Sequence, residues 1–163
     1  MLKEIVLGKT WEGIITRITC LSVFIIFFVY PNFDIIRVDG ISMTPTFDNN
    51  EIVFLKKYAY TNINPNVNDV VVLKGEPNKI ISREKLIKRI IGVPGDKIEI
   101  INGFVYVNNI IHRPELGCIF NKLNHVYCER LPENSYFYIG DNRSETVYGT
   151  VDINKIVGKI MFN

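Results

Sequence analysis

Hydrophobic and polar positions divide the chain into two unlike parts. From Gly13 to Tyr30 the sequence reads GIITRITCLSVFIIFFVY, an almost unbroken apolar run closed by Pro31. Its length suits a bilayer span, at the short end of the range. Arg17 interrupts the run near its start, where a long side chain can snorkel to an interface. Trp11 and Tyr30 bracket it as interfacial aromatics do. A cleavable signal peptide and a buried core helix would show a similar run. No small-x-small cleavage site follows Tyr30, since the next residues are PNFDIIRV. The run is therefore assigned as a transmembrane anchor over 13–30, with 1–12 as a segment preceding it. Lys3, Lys9 and Arg17 come before the apolar core, and Arg37 is the first basic residue after it. The positive-inside rule puts the N-terminus in the cytoplasm and everything from about Pro31 onward outside.

After Pro31 the period changes. No long stretch keeps a helical repeat; short β-branched runs alternate with turn residues. The pattern predicts strands over Asp34–Ile41, Glu51–Tyr58, Asp69–Leu73, Lys85–Val93, Lys97–Ile101, Phe104–Val107, Tyr136–Ile139 and Ile156–Met161. Asn102-Gly103 between two apolar runs predicts a tight hairpin, and Pro94-Gly95-Asp96 another turn. Asn62 to Asn68 and Pro77 to Glu84 are polar loops, and Cys118 to Asn134 reads as irregular. The fold class is mainly β. An antiparallel, sheet- or barrel-like domain over 31–163, with a small β extension around 97–135, is tethered by one N-terminal helix.

Composition narrows the chemistry. The chain has 163 residues and a formal net charge of only +2, with basic residues dispersed among acidic ones. No basic stripe interleaves with aromatics, so nucleic acid is not an expected partner. Cys20, Cys118 and Cys128 contain no CxxC pair, and neither His112 nor His125 has a ligand set around it, so no metal or other cofactor is expected. Cys118 and Cys128 flank a short segment and would be either a disulfide across a loop or two free thiols.

Three segments carry candidate chemistry. VDGISMTPTF, Val38 to Phe47, places Ser42 between a glycine-containing strand end and a proline-bearing turn. Such a bend can present a hydroxyl beside backbone N–H groups, and it is also a common structural turn. LIKRIIGVPGD, Leu86 to Asp96, places Lys88 inside an apolar β run. Alternation gives Lys88 and Ile90 one face and Ile87, Arg89 and Ile91 the other, so one of the two basic residues points toward apolar side chains. Lys88 is either an edge residue whose head reaches water, or a buried amine whose charged form is disfavoured. In the second case it can take a proton from a serine hydroxyl, the logic of a Ser–Lys pair. YFYIGDNRSETVYG, Tyr136 to Gly149, is a strand leading into a polar turn.

Taken in order behind an N-terminal anchor, SMTPT, KRIIGVPGD and GDNR resemble the boxes of bacterial type I signal peptidases. The resemblance runs from the anchor to Gly149. It implies a mostly antiparallel β fold, Ser42 as nucleophile and Lys88 as general base. It implies as substrates the signal peptides of exported preproteins, cut at a membrane surface, with the lipid bilayer as a partner and the secretion translocon as a further candidate. Where some members carry a serine as second oxyanion donor, this chain has Gly40. Val38, Met43, Leu86 and Ile87 flank the dyad by position and would line small pockets for Ala-like side chains, or serve as ordinary core.

The third box is shortened. Gly140, Asp141, Asn142 and Arg143 match the family turn, but SETVYG follows directly and the family's DSR triplet is missing. Thr146, or Ser144, is the hydroxyl that would orient the Lys88 amine. Arg89 needs a partner other than the missing triplet, either Glu145 or Asp141. The shortened box raises two alternatives to general signal-peptide cleavage. One is a specialised Ser–Lys peptidase for a dedicated substrate such as a conjugation pilin. The other is an inactive homologue that only binds exported chains. A self-cleaving, repressor-like Ser–Lys protein is disfavoured by the anchor and by the lack of a helical DNA-binding region.

Overall fold

The computed structural model describes residues 11–75, 85–119 and 127–161. Contacts divide the chain into two compact units, residues 1–34 and 35–163, so that the first two residues of the strand Phe33–Arg37 fall in the first unit.

The N-terminal unit contains helix α1, Trp11–Phe24, which runs into a π-helical turn, Ile25–Val29. Nearly all its side chains are exposed, and the stretch Trp11–Phe28 is long and apolar enough to cross a membrane, with mean hydropathy 1.7. Its hydroxyls do not need water. Thr16, Thr19 and Ser22 each donate to the carbonyl four residues back, which satisfies them within the helix. The Asn32 side chain donates to the Phe28 carbonyl near the helix end.

The second unit is built on strands β1 (Phe33–Arg37), β2 (Ile52–Lys57), β3 (Val70–Lys74), β4 (Lys85–Gly92), β5 (Lys97–Ile101), β6 (Phe104–Val107), β7 (Ile110–Ile111), β8 (Tyr127–Arg130), β9 (Ser135–Ile139), β10 (Tyr148–Asp152) and β11 (Ile156–Met161). A larger sheet has the order β1-β2-β11-β3-β4-β9-β10 and a smaller one β7-β6-β5-β8. Pairings are antiparallel throughout β2 to β10 of the first and across the whole of the second. The chain is thus mainly β, with antiparallel sheets and one N-terminal apolar helix.

β3 shows why its sequence is a solid apolar run rather than an alternating one. It lies mid-sheet with both faces covered. Val70 and Val72 pack with Val38, Met43, Phe47 and Leu55, while Val71 and Leu73 pack with Ile90 and Tyr136. Each such fully buried side chain contributes about 1.5–3 kcal/mol. The smaller sheet adds Ile98, Ile100 and Val105 to a third cluster with Ile91, Phe137 and Ile139.

Three expectations are corrected. The strand expected over Asp34–Ile41 ends at Arg37, because Gly40 takes φ 101°, a left-handed conformation that ends extended backbone. The irregular tract expected over 118–134 contains β8, whose regularity comes from pairing with β5. β7 and β10 were not expected. β7 forms because Asn108 and Asn109 both take positive φ and fold a two-residue hairpin after β6. The expected hairpin at Asn102-Gly103 has the same geometry, with φ of 51° and 79°. Cys118 is a free thiol; the Cys128 side chain, His125 and the loop expected over Pro77–Glu84 lie outside the described residues.

Candidate active site

Ser42 and Lys88 come together from distant parts of the chain. Lys88 lies mid-β4, opposite Val71 of β3. With apolar strands around it the residue is only 2% exposed, and its Nζ donates to Ser42 Oγ at 2.5 Å. Ser42 stands in the turn after Gly40. That turn is stitched by hydrogen bonds from the Thr46 and Phe47 N–H groups to the Met43 carbonyl. An amine and an alcohol at this distance can exchange a proton. Burial disfavours an ammonium relative to a neutral amine.

Arg89, the next residue on β4, is also buried. Alternation left one basic residue against apolar side chains; the fold buries both and gives each a polar partner. Arg89 Nε and Nη2 donate to the two Asp141 carboxylate oxygens at 2.8 and 2.6 Å, and Nη1 donates to the Asn68 carbonyl at 2.9 Å. The Thr46 hydroxyl also donates to Asp141. Of the two carboxylates considered for Arg89, Asp141 is the one it uses. Burial by itself pushes the Asp141 carboxyl up. The Arg89 and Thr46 hydrogen bonds and the neighbouring guanidinium charges outweigh it and hold the group below its ordinary value.

The turn after β9 clamps the Ser42 segment. The Asn142 N–H donates to the Ser42 carbonyl at 3.1 Å, and its side-chain amide donates to the Ile41 carbonyl and Thr44 Oγ1, each at 3.1 Å. Ser144 Oγ donates to Asn142 Oδ1 at 2.7 Å, which fixes the orientation of that amide. Thr146 Oγ1 accepts from the Gly140 N–H and donates to the Val147 carbonyl, each at 3.0 Å. Ser144 and Thr146, expected to orient the Lys88 amine, thus use their hydroxyl protons to shape this turn. Gly40 directs its N–H to Asn49 Oδ1 at 2.8 Å. Its amide is therefore engaged within its own loop.

Val38, Met43, Leu86 and Ile87 line one cavity of about 330 Å³ together with Ser42 and Lys88. Val38 and Met43 are also core residues, so the floor of the cavity is the sheet's own packing. Arg37 and Lys85 stand at its rim, both exposed. Among the described residues no group of His, Cys, Asp and Glu is arranged to hold a metal ion. Sequence reasoning missed the clamp by Asn142 and the contact between Arg143 Nη2 and His112 Nδ1 at 3.3 Å. The motif order marks the Asn142 turn, but nothing local connects it to residue 112.

A family model described as signal peptidase, peptidase S26, matches residues 9–163. The chain is also 31% identical over 172 aligned positions to signal peptidase I of Bacillus caldolyticus, covering 95% of this chain and 89% of that protein. The chain belongs to the signal peptidase I family. Signal peptidase IB of Staphylococcus aureus is 29% identical, with 85% of this chain and 82% of that protein covered. A chloroplastic thylakoidal processing peptidase 1 of Arabidopsis thaliana is 28% identical over 77% of this chain but only 40% of its own length. As a signal peptidase I family member, the chain has a third box that is short yet closed on itself. Asp141 pairs with Arg89, Asn142 holds the Ser42 turn, and Ser144 and Thr146 hold the Asn142 turn.

Proposed function

We propose that this chain is a membrane-bound serine endopeptidase that removes N-terminal signal peptides from exported preproteins. Ser42 is the nucleophile and Lys88 the general base. The reading is carried by one observation: the 2.5 Å contact between the Lys88 amine and the Ser42 hydroxyl, with Lys88 enclosed. Neutral Lys88 takes the Ser42 proton as Oγ attacks the scissile carbonyl. The negative charge on the carbonyl oxygen needs a donor aimed at it, and the Ser42 backbone N–H is the candidate. Collapse breaks the C–N bond. The protonated Lys88 gives its proton to the departing amine, which is the new N-terminus of the mature protein. Lys88 then deprotonates a water that attacks the ester; the bond from the acyl carbon to Ser42 Oγ breaks, Lys88 returns the proton to Oγ, and the signal peptide leaves with a free carboxylate.

Residues before the cut bind as an added strand, with main-chain hydrogen bonds for affinity and small pockets for selection. Val38, Met43, Leu86 and Ile87 form those pockets in this reading, a role supported by their shared cavity with the dyad. The segment over 13–30 is the anchor, 1–12 is cytoplasmic, and 31–163 works outside. The basic residues before the apolar run support that orientation. Tethering keeps the site near the bilayer, where the cleavage region of a signal peptide also lies. The secretion translocon is the neighbouring assembly that would supply substrate.

The test is to mix the full chain in detergent with a preprotein, quench in acid and map covalent adducts by mass spectrometry. An acyl group of signal-peptide mass on the Ser42-containing peptide supports the reading, and turnover with the acyl group on another residue overturns it. The shortened third box favours one further reading, a peptidase for a dedicated substrate. Cleavage of a single preprotein from a varied panel would select it.

A further inference from the structure

The cavity that holds Ser42 and Lys88 has open strand edges along it. Among the described residues, β4 pairs with β9 from Arg89 onward, so Lys85 to Lys88 have a sheet neighbour, β3, on one side alone. β1 is the end strand of the larger sheet and pairs with β2 on one side. Ile36 and Arg37 of β1 and Lys85 to Lys88 of β4 line the same cavity. Beyond Lys88 the β4 edge is taken by β9, so a strand added there has its acyl end at Lys88 and its earlier residues toward Lys85. Strands laid side by side keep nearly the same rise per residue. With the residue before the cut at Lys88, the residue level with Lys85 is therefore the fourth before the cut.

That stretch is cationic. Arg37 and Lys85 line the cavity and are both exposed. Lys74 of β3 stands directly opposite Lys85 and is exposed as well. Like charges directly opposite one another weaken a sheet, so this pair does nothing for the fold. Among the described residues, none of the three cations takes part in an ion pair or a side-chain hydrogen bond. Asp39 is the one carboxylate lining the cavity. With Lys88 neutral, as the mechanism requires, the lining still carries one more positive charge than negative.

We infer that Arg37 and Lys85 select preproteins that carry an acidic side chain at the fourth or fifth position before the cut. The inference rests on the peptidase reading and deepens it, adding a charge preference to the pockets for small side chains. Because both cations are exposed, the preference is modest and is screened by salt. Exposed cations could instead hold anionic lipid headgroups, but Arg37 and Lys85 share one cavity with Ser42, which favours the substrate.

The test uses fluorescent peptides spanning a preprotein cleavage region, identical except for Glu or Lys at the fourth or fifth position before the cut. At low salt the full-chain Ser42→Ala variant in detergent should bind the Glu peptide about 5-fold more tightly than the Lys peptide at one of these positions. About 0.5 M salt should remove the difference, an arm that needs no further variant to fold. Adding Arg37→Glu and Lys85→Glu should reverse the order, and a ratio taken within one protein cancels any partial loss of folding. Wild-type kcat/KM for the matching preproteins should follow the same order. Equal binding of the Glu and Lys peptides at both positions, or an order unchanged by charge reversal, would overturn the inference. Equal peptide binding, with binding to phosphatidylglycerol vesicles lost on charge reversal, would overturn it in favour of lipid. A charge preference in binding with no cleavage of any preprotein by the wild type would instead sink the peptidase reading and leave Arg37 and Lys85 as the selecting charges.

Discussion

Gly140 lies against the Ser42 carbonyl so closely that a Cβ added there would come within 2.2 Å of the Ser42 oxygen and 2.3 Å of Thr146 Oγ1. Neither neighbour can step aside cheaply. One is backbone and the other is hydrogen-bonded on both sides to the turn. The position of the Ser42 hydroxyl therefore depends on a hydrogen atom at residue 140.

Gly140→Ala should displace the Ser42 turn. Overpacking of this kind costs about 1–3 kcal/mol, so Tm should fall by several degrees. The loss in kcat/KM should be larger than the stability change suggests, because a shift of about 1 Å in a reacting group costs on the order of 100-fold. Wild-type cleavage by Gly140→Ala would show that Ser42 is not held by this contact.

Asn142→Ala removes the two side-chain bonds to Ile41 and Thr44 while leaving the backbone bond to Ser42. With the fold retained, kcat/KM should fall by about 10- to 100-fold, mostly in kcat. Ser144→Ala, which only loosens the amide's orientation, should cost less. Steady-state cleavage with Tm measured alongside separates positioning from unfolding.

The strands were the most legible part of the chain. β3, β5 and β6 are short β-branched runs that announce themselves, and Asn102-Gly103 fixes one hairpin. β10, YGTVD, carries little strand preference of its own; it is a strand because β9 lies beside it. Such preference reflects context more than backbone. The candidate site was legible as three motifs in order, since a lysine within an apolar run and a serine in a glycine-proline turn are local features, whereas the burial of Lys88 was not. What the motifs could not give was the traffic between them. Arg89 reaches Asp141 and Asn142 reaches Ile41 across long stretches of sequence, and no period or spacing encodes those contacts. For the same reason, the hydroxyls of Ser144 and Thr146 were legible as present near the dyad but not as members of the turn.

Breaking the Arg89–Asp141 pair from one side leaves a buried guanidinium uncompensated. Asp141→Asn should therefore destabilise the protein by about 3–5 kcal/mol. The pair also sets an acid limit. Because the folded carboxyl titrates below its ordinary value, its stabilisation is fully present above about pH 4, the unfolded value. It is lost as pH falls from there through the folded pKa. Chemical denaturation from pH 7 to pH 2 should show this loss in the wild type, and a shallower one in Asp141→Asn.

Cleavage should fall as the medium becomes acidic, because a protonated Lys88 cannot accept the Ser42 proton. His112 cannot be the source of such a limb above pH 5, since its pKa is held at about 4. The kcat/KM profile between pH 5 and pH 9 checks this. A flat profile down to pH 5 would speak against an amine as the base.

The most direct measurement is preprotein cleavage by Ser42→Ala and by Lys88→Ala, each shown by circular dichroism to be folded. With the two groups acting as one unit, each variant should lose at least about 1,000-fold in kcat/KM, and the double variant should be little worse than either. Turnover within tenfold of wild type in either single variant would contradict the account.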